Sequence, residues 1–554
     1  MLQDLYTPRT ETLTAAPWDI YPRPQMKRDS YVNLNGPWDF SADDFTGTIT
    51  VPFCPESALS GIKRHFSEGT ALTYRRTFTL PEDFNKGRVL LHIGAADQHL
   101  ECYVNSKPAG FHSGGYTAFT FDITAHLQEE NELLLVVTDD LRDPFVPYGK
   151  QTLKRGGMWY TPVSGIWQSV WLESVPETYI ENLRIDNRNG QVQISISPAQ
   201  AGKVTVDGLG EFILENGSVA IDHEKLHLWS PEDPYLYTFT VETETDKVES
   251  YFAARTIDTK MVDGIPRLCL NGKPYFFHGL LDQGYWPEGI YTPPAPEAYA
   301  DDILAMKKLG FNTLRKHIKV EAEEFYYQCD KLGMVVFQDM VNNGRYSFFR
   351  DTLLPTLGLQ KLKDTNLHTK GHEQFIRCME ETVSQLRNHP CILYWTIFNE
   401  GWGQFEADRM YDTLKALDDT RIIDSTSGWF RRKRSDVESL HIYFNLWHRL
   451  KPHKTRPLIL SEFGGFALPV EGHIFNPANA YGYKSCKSLE DFQEAFETLY
   501  RTRVLPAIPK GLCGTIYTQV SDVEDEINGI LTYDRKVNKA DEEAMLSLAK
   551  DLHI

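Results

Sequence analysis

Three patterns divide the sequence and predict its fold class: two β-sandwiches followed by a (β/α)8 barrel. Residues 1–178 alternate apolar and polar positions in short runs separated by turn residues, and no convincing helical period interrupts them. Residues 179–257 form a second, smaller β-rich block whose size suits an immunoglobulin-like sandwich. Residues 258–554 switch to strand-like runs interleaved with helical segments, and eight such strands are the requirement of a (β/α)8 barrel.

Each element follows from local pattern. In the first block, VLLHIG places Val89, Leu91 and Ile93 on one face of a strand. HLECYVN sets Leu100, Cys102 and Val104 against His99, Glu101 and Tyr103, and Asn105, Ser106, Lys107 and Pro108 then turn the chain. LLLVVT (Leu133–Thr138) is an unbroken apolar run and predicts a strand buried on both faces. In the second block VQISISP, KVTVDG and LYTFTVET alternate and are linked by Asn-Gly and Asp-Gly turns. The third block opens with the strand YFFHGLL, and Tyr299, Ile303, Met306 and Leu309 recur at helical spacing. FNTLRKH is the second strand, Phe325, Cys329 and Leu332 mark a helix, and MVVFQDM is the third strand. Ile376, Met379, Val383 and Leu386 mark a helix before the fourth, CILYWTIF. RIIDSTSG, VESLHIYF, PLILSEFG and CGTIYTQV complete the eight.

Composition narrows the function. The 554 residues carry 57 Lys and Arg against 76 Asp and Glu, a net charge of −19, which disfavours nucleic acid and anionic membranes as partners. With 41% hydrophobic residues, 11 Trp and 27 Tyr, the chain can build large cores and is not disordered. No run reaches the ~18 apolar residues of a membrane helix. The start, MLQDLYTPRTETLTAAPWDIYPRP, has no apolar secretory region, so a cytoplasmic protein is expected. The eight cysteines are scattered and include no CxxC pair, as buried thiols in a reducing compartment would be. Phosphate-loop, GxGxxG and GxSxG patterns are missing, which sets aside nucleotide-dependent and serine-hydrolase chemistry.

The chemistry of a (β/α)8 barrel sits at the C-terminal ends of its strands. ILYWTIFNE ends strand four with Asn399 and Glu400 ahead of Gly401-Trp402-Gly403, and PLILSEFGG ends strand seven with Ser461 and Glu462 ahead of Phe463-Gly464-Gly465. Both carboxylates follow apolar strand residues and precede a glycine-rich turn, so rigid backbone projects them into the barrel mouth. Two facing carboxylates suffice for glycoside hydrolysis: one protonates the leaving oxygen while the other, ionised, attacks the anomeric carbon. The alternative is a pair of unrelated rim residues in salt bridges.

LNGPWDF, GIWQSVWLE, LWSPEDPYLY and FAARTI in the sandwich blocks, with NGKPYFFHG, LGFNTLRKH, NHPCILYWTIFNEGWG and LILSEFGG in the barrel, resemble glycoside hydrolase family 2 nearly end to end. The NHP…NEG stretch is the most specific of these. The resemblance implies that the first block is a sugar-binding-like jelly roll, that the enzyme retains anomeric configuration, that Glu400 is the acid/base and that Glu462 is the nucleophile. It further implies substrate-binding roles: Asn399 at the sugar 2-hydroxyl, Arg315 beside the nucleophile, Tyr443 as a hydrogen-bond donor to Glu462, and Trp402 at the aglycone. His317, Asp339, Asp282, Trp429 and His441, at or just past strand ends, are expected to line the pocket. The implied reaction is exo-hydrolysis of a terminal β-linked sugar, β-galactosidase-like first. β-Mannosidase, β-glucosidase, β-glucuronidase and arabinosidase specificities, an endo-glucanase and a non-catalytic carbohydrate-binding relative remain open. The partner expected is a glycoside or oligosaccharide; neither nucleic acid nor membrane is expected, and a homo-oligomer is admitted. No cofactor and no metal ligand set are assigned, and ion dependence stays open. Two features depart from the family: Thr518 stands where many members place a strand-eight Trp as the floor for the sugar, and the basic residues of ILTYDRKVNK do not form the Asn-x-Lys carboxylate clamp of glucuronidases.

Overall fold

The computed structural model describes residues 2–14, 16–357, 359, 368–443 and 446–554. In the N-terminal sandwich, a six-stranded antiparallel sheet packs on a four-stranded one around a core that includes Trp38, Tyr74 and Val104. The apolar run 133–138 lies in the strand Asn131–Thr138, but that strand alternates: Leu133, Leu135 and Val137 face the core, while Leu134 and Val136 are half-buried. The expectation of two buried faces is therefore corrected. The neighbours of this strand are antiparallel, and an antiparallel sheet leaves its outer face to solvent. The described residues ahead of Val32 add no strand to the sandwich. They run along the barrel, where Thr7 N donates to Glu288 Oε1 at 3.0 Å and Trp18 Nε1 donates to Pro293 O at 3.0 Å.

The second sandwich consists of a three-stranded and a four-stranded sheet around Ile185, Ile194, Val204, Phe239 and Val241. Its joint to the barrel is made by the NHP stretch. Ile185 N donates to Asn388 Oδ1 (2.8 Å), and Asn388 Nδ2 donates to Leu183 O (2.6 Å). Asp330, fully buried, accepts from Tyr251 of the sandwich (2.7 Å) and from Cys391 N (2.8 Å), and also pairs with His389 Nδ1 (2.7 Å). Arg255, 1% exposed, reaches from the sandwich to the carbonyls of Pro390 and Ile392 at 3.1 and 3.2 Å. The NHP stretch thus ties two domains together at the N-terminal end of a barrel strand, opposite the end that carries Asn399.

The barrel strands are β1 (Phe277–Asp282), β2 (Thr313–Lys316), β3 (Val335–Asp339), β4 (Ile392–Asn399), β5 (Ile422–Ser427), β6 (Glu438–Ile442), β7 (Leu458–Gly464) and β8 (Leu512–Thr518). They form one parallel 8-stranded sheet in the order β5-β4-β3-β2-β1-β8-β7-β6, whose end strands β5 and β6 approach each other without a paired ladder. All eight predicted runs coincide with these strands; Phe444 of VESLHIYF lies outside the described residues. Every residue of β3, β4, β7 and β8 is buried, as parallel strands covered on both faces must be. Helices 297–308 and 323–332 cover the outside of β1 to β3, with Ile303, Met306, Phe325 and Cys329 inward, as the spacing predicts. Among the described residues no helix is long and apolar enough to cross a membrane.

Replacing Asp330 by Ala strips one carboxylate from three buried donors. The variant should lose roughly 3–5 kcal/mol of stability, read from denaturant unfolding against wild type. An unchanged midpoint would mean that the joint is not held by this group.

Candidate active site

β4 delivers Asn399 and Glu400. Glu400 itself has left-handed backbone (φ 56°), and Gly401 follows at φ 73°. A Cβ on Gly401 would lie 1.9 Å from the Phe430 ring, so only glycine lets the chain turn there. Glu400 N donates to Ser427 O of β5 at 2.9 Å, which fixes the turn against the next strand. β7 delivers Glu462 in the same way, and Gly464 turns the chain at φ 84° against the Tyr517 ring.

The two carboxylates converge. One oxygen of Glu400, one of Glu462 and a ring nitrogen of His441 all lie within 4.8 Å of one another. His441 Nδ1 stands 2.8 Å from Glu400 Oε1 and 3.5 Å from Glu462 Oε2. Its Nε2 faces Arg315 Nη1 (3.4 Å) and Ser427 Oγ (3.0 Å). The ring is thus held between Glu400 at Nδ1 and Ser427 at Nε2. Glu400, His441 and Glu462 also form the group of ligand atoms among the described residues that could hold a cation.

Arg315 ends near the centre of the mouth, 1% exposed. It donates to Glu462 Oε1 (3.0 Å), Asp339 Oδ1 (2.9 Å), Asn399 Oδ1 (2.9 Å) and Ser461 O (3.0 Å). Burial lowers its pKa, but the facing Asp339 and Glu462 reverse the shift and hold it charged. Tyr443 OH donates to Glu462 Oε2 at 2.6 Å and lies 3.0 Å from Thr518 Oγ1. Burial pushes the Glu462 carboxyl up; the facing His441, Arg315 and His317 and the Tyr443 hydroxyl outweigh it and bring it to about 2. His317 Nδ1 pairs with Asp339 Oδ2 at 2.7 Å, and burial holds this imidazole down at about 4, neutral at pH 7.

The remaining expected residues divide. Trp429 lines the cavity above Glu400, with its Nε1 on Glu400 O at 2.9 Å. Trp402 lies behind the wall: it donates to Gly344 O (2.8 Å) and packs edge-on against Trp159, with ring centroids 5.0 Å apart. Asp282 does not join the site. In the strand register Leu281 is opposite Arg315 and Asp282 is opposite Lys316, so Asp282 takes the outward side with Lys316, which it binds at 2.6 Å. The expectation of Asp282 in the sugar pocket is corrected on this parity.

A cavity of about 340 Å³ opens over Glu400, at the lower end of the ~300–1,000 Å³ range of ligand sites. Its walls include residues that the sequence did not single out: Gly156 to Trp159 from the sandwich, Tyr346 and Phe348 after β3, and Tyr481 and Tyr483 after β7. Tyr483 stacks on Tyr443 with centroids 4.0 Å apart. The Gly156-Gly157 pair ahead of Met158-Trp159-Tyr160 was the available signal, a flexible turn followed by aromatic residues.

Replacing Tyr443 by Phe removes a charge-assisted hydrogen bond from Glu462. This change should lower kcat/KM on aryl glycosides roughly 10–100-fold. With the donor gone the carboxyl pKa rises, so any inflection due to Glu462 in the acid limb should move to higher pH. An unaltered rate in a folded variant would remove Tyr443 from the site.

Comparison with known proteins agrees with this fold. The profile for the glycosyl hydrolases family 2 TIM barrel domain matches residues 265–548, the family's sugar binding domain matches 63–176, and the profile of the family itself matches 175–255. A beta-galactosidase of Thermoanaerobacter pseudethanolicus is 26% identical over 72% of this chain and 54% of its own length. The beta-glucuronidase of Homo sapiens is 25% identical over 68% of this chain and 63% of its own length. The chain thus spans between half and two thirds of these curated relatives. The solved beta-D-glucuronidase of Dictyoglomus thermophilum superposes with a TM-score of 0.74 over 96% of this chain and 98% of that one, at 19% identity, a likeness of fold. With a family profile covering the whole barrel and two more covering most of both sandwiches, this chain belongs to glycosyl hydrolase family 2.

Proposed function

We propose that the protein is a retaining exo-β-glycosidase that works by double displacement, with Glu462 as nucleophile and Glu400 as acid/base. The observation that carries this reading is the approach of the two carboxylate oxygens within 4.8 Å, bridged by His441. That approach suits the ~5–5.5 Å carboxyl separation of retaining enzymes rather than the ~6.5–9.5 Å gap that an inverting pair needs for an interposed water. Glu462, held ionised by Arg315 and Tyr443, attacks the anomeric carbon as the bond to the leaving oxygen breaks. Glu400 gives that oxygen its proton. Water then enters on the vacated face, Glu400 takes its proton, and the ester to Glu462 is released with net retention. Glu400 is suited to meeting leaving group and water, with a side chain 13% exposed against 6% for Glu462. Asn399 has its amide oxygen on Arg315 and so turns its NH2 side to a substrate hydroxyl.

Exo action is supported by the cavity walls. The sandwich loop with Trp159 and the tyrosines at 443, 481 and 483 border a pocket rather than an open groove, and their rings suit the apolar C–H faces of a pyranose. A β-galactoside is the first substrate to test. β-Glucuronides are the second, because relatives carry that name.

Removal of each glutamate separates the roles. Glu462→Ala should lose about 10⁴-fold or more in kcat on every substrate. Glu400→Ala should still cleave aryl glycosides of low leaving-group pKa and accumulate the glycosyl-enzyme. Azide should rescue the Glu400 variant as the β-glycosyl azide and the Glu462 variant as the α-anomer, distinguished by NMR. Swapped anomers reverse the assignment; no rescue of either folded variant favours the non-catalytic relative.

A further inference from the structure

Of the two glutamates, Glu400 lines the cavity and Glu462 does not. Tyr443, which bonds Glu462, and Tyr483 stacked on it close the side nearest the nucleophile. The other side is tied to Glu400. The Trp429 indole N–H donates to Glu400 O (2.9 Å) and to Asp351 O (3.1 Å), so the loop after β3 is fixed against the residue that serves the leaving group. That loop contributes Tyr346, Phe348 and Thr352 to the wall, and the sandwich contributes Met158 and Trp159. Trp159 packs edge-on against Tyr346, with ring centroids 4.9 Å apart. Trp402, expected at the aglycone, supports both from behind, at 5.0 Å from Trp159 and 6.3 Å from Tyr346.

Aromatic rings stack on the apolar face of a sugar as well as on aryl groups, so the rings alone do not choose an occupant. The polar groups around them do. A second sugar would bring several hydroxyls, and each one buried without a partner weakens binding about tenfold. Among the described residues that line the cavity there is no Asp, Asn, Gln, Lys or Arg, and Glu400 is the sole carboxylate. On the leaving-group side the Tyr346 hydroxyl is bonded to Thr352 Oγ1 at 2.5 Å. Phe348 offers no hydrogen-bonding group, Met158 only a weak thioether acceptor and Trp159 a single N–H.

Phe348 is also 62% exposed, and it carries the apolar surface outward from the cavity. A large apolar side chain left to water at the rim of a substrate cavity is accounted for when the substrate covers it.

Resting on the glycosidase reading above, we propose that Trp159, Tyr346 and Phe348 form the aglycone site, and that the group leaving the sugar is an apolar aryl or alkyl alcohol rather than a second sugar. The test is direct binding of 1-thio-β-glycosides, whose sulfur linkage resists hydrolysis. Galactose, glucose and glucuronic acid each carry phenyl, methyl or S-linked glucose as aglycone, and full-length wild type is titrated with all nine while tryptophan fluorescence is followed. For at least one glycone the phenyl compound should bind about tenfold or more tightly than the methyl compound, and more tightly than the glucosyl one. Phe348→Ser, with an unchanged melting temperature, should cut the phenyl-to-methyl ratio about threefold or more. A glucosyl compound binding as tightly as its phenyl counterpart for every glycone, equal phenyl and methyl affinities, saturation by none of the nine, or a folded Phe348→Ser variant with the wild-type ratio would each overturn the proposal. The glycosidase reading is separable. Turnover of O-linked phenyl glycosides without a phenyl preference in binding overturns the proposal alone, whereas that preference without turnover of any O-linked counterpart overturns the glycosidase reading alone.

Discussion

One buried guanidinium organises the barrel mouth. Arg315 on β2 bonds Asp339 at the end of β3, Asn399 at the end of β4, and Ser461 and Glu462 on β7. A charge this deep is tolerated only when paired and hydrogen-bonded, and each partner here is itself a polar group that needs a donor. The pairing therefore works in both directions. It keeps the cation in the core, and it holds the carboxylate of Glu462 ionised and aimed. Because the partners are strand ends of a packed barrel, the separation between Glu462 and Glu400 is a property of the barrel and not of a loop.

β4 connects the two ends of this arrangement. Its N-terminal end is the NHP joint, where Asn388, His389 and Cys391 meet the second sandwich and Asp330. Its C-terminal end carries Asn399 and Glu400. With 8 residues at ~3.3 Å each, the strand spans roughly 26 Å. The sandwiches therefore do more than add mass. The second anchors the base of β4, while the first sends Trp159 to the mouth.

Much of this was legible in the chain. The change from a two-residue to a helical period located the barrel, and carboxylates just behind apolar strands and ahead of glycines located Glu400 and Glu462. Side-chain parity was not legible. Leu281 and Asp282 both lie in a strand covered on both sides, so polarity cannot say which of them points inward. The run 133–138 was misread for the mirror reason: apolar residues can sit on the outer face of an antiparallel sheet. Trp159, Tyr481 and Tyr483 lie on loops that reach the site from other parts of the chain, and no local period marks a residue whose partner is hundreds of positions away. The floor left open by Thr518 has a physical counterpart in the Tyr443–Tyr483 stack, with Tyr443 bonded to Thr518.

The separation of Glu400 and Glu462 has one direct chemical consequence, the configuration of the sugar as it leaves. Wild-type enzyme acting on an aryl β-glycoside can be followed by proton NMR within the first minutes, before mutarotation mixes the anomers. The β-anomer should appear first, with the α-anomer growing in afterwards. First release of the α-anomer would mean that water attacks directly across a wider gap, and the double displacement at Glu462 would be wrong.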